Sequence, residues 1–115
     1  MSLFERSFEK KPPKWNSNEI IEEIKNFLEI YENRPIKNNK NGMRFPHMFA
    51  TYFILKKIKP SFVVESGVFK GQSTWLIENT LPNSEILSID IDLSKREYIS
   101  KNAKYSNIDF KNQDF

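Results

Sequence analysis

The stretch Phe62-Val63-Val64-Glu65-Ser66-Gly67-Val68-Phe69-Lys70-Gly71-Gln72-Ser73-Thr74 constrains this chain more than any other. An apolar run ends in an acid, a glycine turn follows, and the turn opens into a segment able to form a helix. A parallel α/β sheet builds a pocket for an anionic or zwitterionic small molecule in that order. The sequence stops at Phe115, before a sheet of that kind is expected to be complete.

With 115 residues the chain is one domain at most. Hydrophobic residues at 38%, ten of them Phe, are enough for a core and argue against disorder throughout. A formal charge of +3 with scattered basic residues gives no reason to expect nucleic acid. The densest basic cluster, Lys10, Lys11 and Lys14, reads as a solvated tail. The absence of cysteine excludes disulfides and thiolate metal sites, and a single histidine, His47, excludes a zinc site built on several imidazoles. The sequence shows neither a membrane-spanning apolar run nor a signal-peptide core, so a cytoplasmic setting is expected, with no metal and no membrane partner.

Along the chain, Phe4, Phe8 and Trp15 sit in an arm ending near Pro12-Pro13, and its aromatics can dock on the body. Residues 16–32 predict a helix, with Ile20, Ile21, Ile24, Phe27, Leu28 and Tyr31 on one stripe and Asn16 paired with Glu19 at its start. Residues 33–44 read as a loop. A second helix carries Pro46 in its first turn and Met48, Phe49, Tyr52, Phe53, Leu55 and Ile58 on its apolar face, with Pro60 ending it. The period then changes: strand 61–66, helix 72–80, strand 85–92, a turn or short helix opened by Ser94 and Glu97, and a third strand over 108–115. The fold class is therefore α/β: an incomplete, Rossmann-like parallel sheet of three strands preceded by two helices. Residues 1–60 form an arm and helical cap, and 61–115 the first half of the sheet domain.

Gly67 stands where the chain must turn sharply, and glycine permits φ > 0 and a close ligand approach. Gly71, Gln72, Ser73 and Thr74 offer hydroxyls and free amides at a helix start, where a carboxylate or phosphate is attracted. Asp90, 23 residues after Gly67 at a strand end, can accept bonds from two ribose hydroxyls. Together they ask for an adenosine-containing ligand with an anionic end. The dinucleotide pattern Gly-x-Gly-x-x-Gly fails here, because Phe69 occupies the position of its middle glycine and obstructs a pyrophosphate. No Gly-Lys-Ser/Thr occurs, so a P-loop is excluded as well.

These residues, with Ser88-Ile89-Asp90-Ile91-Asp92 and Asp109-Phe110-Lys111-Asn112-Gln113-Asp114, resemble the class I S-adenosylmethionine-dependent methyltransferases. The Glu-Ser-Gly-Val-Phe-Lys-Gly-x-Ser-Thr form looks most like the branch of macrocin-type O-methyltransferases and cephalosporin-hydroxylase-like proteins. The resemblance covers about residues 60–115 and departs from the commoner Gly-x-Gly-x-Gly core. It implies that Glu65 and Gly67 lie beside the methionine part of the cofactor, that Gly71, Ser73 and Thr74 lie near its carboxylate, and that Asp90 holds the ribose, with Asp92 as second choice. Asp114 is implied at the adenine amino group. A small-molecule methyl acceptor, O- or N-linked, is implied with it, carried by a seven-stranded family fold of which this chain resembles the N-terminal half.

Arg44 and His47, in Arg44-Phe45-Pro46-His47 beside Gly42, fall where the family often places a lid, and His47 has the chemistry of a general base. The bland reading of a lone histidine at a helix start is structural or solvent-facing. The competing reading of the whole chain is a non-catalytic α/β remnant or interaction module that forms a homo-oligomer through an open sheet edge. Trp75, Tyr52 and Phe53 are read as core.

Overall fold

A computed structural model describes residues 15–108, and expectations placed on residues 1–14 and 109–115, Asp114 among them, lie outside it. The elements are α1 (Ser17–Glu32), α2 (Phe45–Ile58), β1 (Phe62–Ser66), α3 (Gln72–Thr80), β2 (Glu85–Ile89), a 3-10 turn (Leu93–Lys95) and β3 (Lys104–Ser106). The strands lie in the order β1-β2-β3, all parallel, with Phe62 opposite Glu85 and Leu87 opposite Lys104. This is the α/β arrangement the change of hydrophobic period predicts. No described helix is long and apolar enough to cross a membrane.

Two local differences have clear causes. The second strand ends at Ile89 rather than at residue 92, because the Asp90 carboxylate accepts the Asp92 N–H at 3.0 Å and turns the chain. Ser94 and Glu97 do not form a capping box. Asp92 caps the 3-10 turn by accepting the Ser94 N–H, and the Glu97 and Tyr98 amides instead donate to the Lys70 carbonyl at 2.8 and 2.9 Å. The chain then bends at Glu97–Tyr98 and again at Lys101–Ala103 before β3, which forms at Lys104–Ser106, ahead of the expected start at Ile108.

The main core sits between the helices, not on the sheet. Phe27 of α1, Met48 and Tyr52 of α2, and Trp75 and Leu76 of α3 form one buried cluster. Phe27 is fully enclosed, its ring 5.1–5.8 Å from those of Tyr31, Phe45, Phe49 and Tyr52. Ile21, Leu28 and Ile58, expected on buried stripes, are exposed, while Ile30 packs against the cluster. Asn16 accepts the Glu19 N–H at 2.9 Å as expected, and the Glu19 carboxylate turns outward to pair with Lys57 on α2. Trp15 meets Phe53 edge-on at 5.6 Å, so that part of the arm does dock.

A second polar contact, beside the Glu19–Lys57 pair, registers α1 against α2. The buried Tyr52 donates its hydroxyl to Glu23 at 3.0 Å, and Lys56 bridges both groups at 2.9–3.2 Å. Lys56 and the tyrosine hydroxyl hold the Glu23 carboxyl below its ordinary range, against the opposing effect of burial. We expect Phe27→Ala to cost about 3–5 kcal/mol in chemical denaturation. Tyr52→Phe keeps the ring and leaves Glu23 with Lys56, so its expected cost is about 1 kcal/mol.

Candidate functional site

The carboxyl ends of β1 and β2 meet the start of α3 through the glycine loop, residues 67–71. The loop folds back because three of its residues take left-handed backbone: Gly67 (φ 89°), Phe69 (φ 49°) and Gly71 (φ 100°). The two glycines serve different ends. A Cβ on Gly67 would meet nothing within 4 Å, so the loop faces open space there. A Cβ on Gly71 would lie 2.3 Å from the Tyr98 carbonyl oxygen, so this glycine lets the segment after the 3-10 turn cross the loop. Gly71 is thus shaped first by chain packing.

Asp90 braces the loop. Its Oδ2 accepts the Val68 and Phe69 amides at 2.8 and 3.0 Å, and its Oδ1 accepts the Asp92 N–H. Led by the Phe69 bond, these hold its carboxyl below the ordinary value. Oδ1 keeps a lone pair for an outside donor. Asp92 is exposed, its carboxylate engaged by the Ser94 hydroxyl and amide, which lower its pKa.

Glu65, at the end of β1, behaves oppositely. It is buried, Oε1 accepts the Thr74 hydroxyl at 2.8 Å, and Oε2 is buried with no partner. Burial raises its pKa from an ordinary 4.5 to about 7, against the lowering effect of Thr74 and Ser73. An orphaned carboxylate oxygen in this position is a place for a cation or a hydrogen-bond donor. Next to it, α3 begins with Gly71 as its N-cap and no side-chain cap, leaving the first amides of the helix unbonded within it.

A cleft of about 270 Å³ runs along the loop, with Gly67–Lys70 and Ser73 on one wall and Asn39, Asn41, Gly42 and Met43 on the other. The second wall belongs to the 33–44 loop, and Gln72, read from sequence only as a helix-start residue, fixes it. The buried Gln72 side chain accepts the Ile36 N–H and donates to the Ile36 carbonyl, both at 3.0 Å. Lys70 adds a bond to the Asn38 carbonyl at 3.2 Å. Gln72 stands in the quoted motif, yet only the partner backbone 36 residues away reveals its role.

The structure therefore gathers Glu65, Gly67, Ser73, Thr74 and Asp90 around one end of the sheet, with Gly67 and Ser73 lining the cleft and Glu65, Thr74 and Asp90 set behind its wall. Arg44 lies apart from them in a neighbouring cavity of about 380 Å³ that shares Asn39, Met43 and Gln72 with the cleft. His47 is exposed and lines neither space.

A solved structure named "cmcI-N160 SAH" has the same fold. It superposes on 92% of this chain with a TM-score of 0.54 at 16% identity, and the chain spans 60% of that protein's length. No protein-family model matches, and no curated protein matches by sequence. The likeness establishes the Rossmann-like α/β fold on structural grounds, independently of the motif spacing.

Two predictions follow from Glu65 and the glycines. The folded protein holds the Glu65 proton more tightly than the unfolded chain does, so stability of the ligand-free protein should fall as pH rises from 4.5 to about 7 and level off above. The upper bound on that loss is on the order of 3 kcal/mol, and Glu65→Gln should flatten the slope in denaturation at a series of pH values. Gly71→Ala should lower stability by more than about 3 kcal/mol through clash and strain. Gly67→Ala should cost only about 1–2 kcal/mol, from its backbone conformation alone.

Proposed function

We propose that the cleft binds S-adenosylmethionine and that the chain is the cofactor-binding portion of a small-molecule methyltransferase. The observation that carries this reading is the buried, unpartnered Glu65 Oε2 beside the uncapped start of α3. The methionine end of the cofactor is a zwitterion. Its ammonium suits Glu65, and its carboxylate suits the first amides of α3 with the Ser73 hydroxyl. The open space before Gly67 accommodates the chain between them. Asp90 keeps acceptor capacity on Oδ1 for a ribose hydroxyl, while its other oxygen holds the loop in shape.

The fold supports the same reading, since the similar structure carries SAH in its name, the abbreviation of the product left when the donor gives up its methyl. The bound donor would supply a sulfonium methyl. An acceptor oxygen or nitrogen would attack that methyl carbon in line, and the thioether would leave with the C–S electron pair while the acceptor's proton passes to solvent. The chain's own contribution is to orient the donor and shield it from water.

Binding of an ammonium at Glu65 favours the carboxylate, so near pH 6.5 it should release a proton. Calorimetry with S-adenosylhomocysteine in two buffers of different ionisation enthalpy should show both binding and that release. Glu65→Gln should weaken binding about tenfold or more and abolish the proton release. Absence of binding by the parent protein, or equal binding and proton release by Glu65→Gln, overturns the assignment.

A further inference from the structure

We infer that the cavity beside the cleft takes the methyl acceptor, and that this acceptor carries a carboxylate or phosphate on a flat apolar body. The inference rests on the cofactor assignment for the word acceptor, and on the cavity itself for the chemistry. Arg34, Lys37, Lys40 and Arg44 all line this space of about 380 Å³, and no acid does. Several cations elsewhere pair with acids: Lys56 reaches Glu23, Lys57 reaches Glu19 and Lys70 reaches Glu97. None of the four cavity cations pairs with a carboxylate among the described residues. Four like charges gathered on one concave surface are unfavourable unless something anionic joins them.

Their placement is partly fixed in advance. The Arg34 guanidinium lies 4.0 Å above the Tyr31 ring and donates to the Tyr31 carbonyl at 3.1 Å, leaving other N–H groups for a ligand. Lys37 donates to the Glu32 carbonyl. The side chains of Lys40 and Arg44 make no hydrogen bond or ion pair among the described residues. Arg44 is also the N-cap of α2, whose first turn has neither a side-chain cap nor an acid, so the helix end adds to the positive field. Tyr31, Phe45 and Met48 give the cavity an apolar wall for a flat body.

A second observation concerns the other end of the ligand. Asn39 lines both the cavity and the cleft, its Nδ2 is committed to the Met43 carbonyl at 3.1 Å, and its Oδ1 is buried without a partner. That oxygen can only accept, and it lies packed over Gly42, so a turn of the Asn39 side chain would offer it to a hydroxyl or amine on the ligand. A hydroxyl or amine at the boundary with the cofactor cleft is the kind of group a methyl donor modifies.

The test is calorimetry on the full chain with 4-hydroxybenzoate, phenyl phosphate and the neutral 4-hydroxybenzamide, alongside S-adenosylhomocysteine. The expected result is that at least one anion binds about tenfold or more tightly than the amide, with the tighter one distinguishing carboxylate from phosphate. Lys40→Glu/Arg44→Glu should abolish anion binding and leave S-adenosylhomocysteine binding unchanged, and Lys40→Ala/Arg44→Ala serves if the reversal impairs folding. Failure of both anions to bind, or equal binding by parent and variant, overturns the cavity assignment without touching the cofactor reading. Anion binding that the variant loses, without any S-adenosylhomocysteine binding, overturns the cofactor reading and keeps an anion site.

Discussion

The Asp90 carboxylate holds the functional end of this molecule in shape. It collects two amides of the glycine loop and one of its own turn, so backbone groups that no strand can pair are satisfied by one side chain. Strand β2 stops because of it, and the left-handed Phe69 is held because its amide, with that of Val68, is anchored on the carboxylate. The Asp90 amide still donates to Ser106 of β3, so the same residue ties the loop to the sheet on its far side. Removing the carboxylate would free the loop as well as any ligand contact, which is why Glu65 makes the cleaner probe of binding.

Two carboxylates about one end of the sheet are pushed in opposite directions, and the physical cause differs for each. Asp90 is half-buried and receives three amides, so the charged form is preferred. Glu65 is buried, with the Thr74 and Ser73 hydroxyls and no backbone amide to support its charge, so desolvation wins. The negative Asp90 nearby adds to the cost of ionising Glu65. A cation arriving between them would relieve the desolvation and the repulsion together. The ligand-free protein thus stores an electrostatic cost at the point where a zwitterion's ammonium would sit.

Much of this was legible in the residues. The change from helical to strand period after Pro60 gave the order of elements, and Glu65, Gly67 and Asp90 could be placed at strand ends from spacing alone. What was not legible depended on contacts distant in sequence. Gly71 reads as a ligand glycine until the Tyr98 backbone is seen crossing it. The Ser94/Glu97 pair has the spacing of a capping box, but Lys70 offers its carbonyl to the Glu97 amide and a competing Asp92 takes the cap. Ile21 and Leu28 lie on the edge of a helical stripe whose centre is Phe27, and a stripe's width is decided by how closely α2 approaches, which periodicity does not encode.

The loop between α1 and α2 and the glycine loop that faces it across the cleft are a single mechanical unit. Gln72 is the first residue of α3 and therefore part of the glycine motif, yet its amide reads the backbone of Ile36 as a strand neighbour would. Lys70 does the same for Asn38 with its ammonium, while its carbonyl takes the segment after the 3-10 turn. The loop from α1 to α2 is thereby positioned by the residues that shape the cleft, and the buried cluster of Phe27, Tyr52 and Trp75 fixes the helices on either side of it. Such a wall needs little ordering when a ligand arrives, so the entropy cost of forming the second side of the cleft is met during folding rather than during binding. The cationic cavity inherits that order, because Asn39 and Gln72 belong to both spaces.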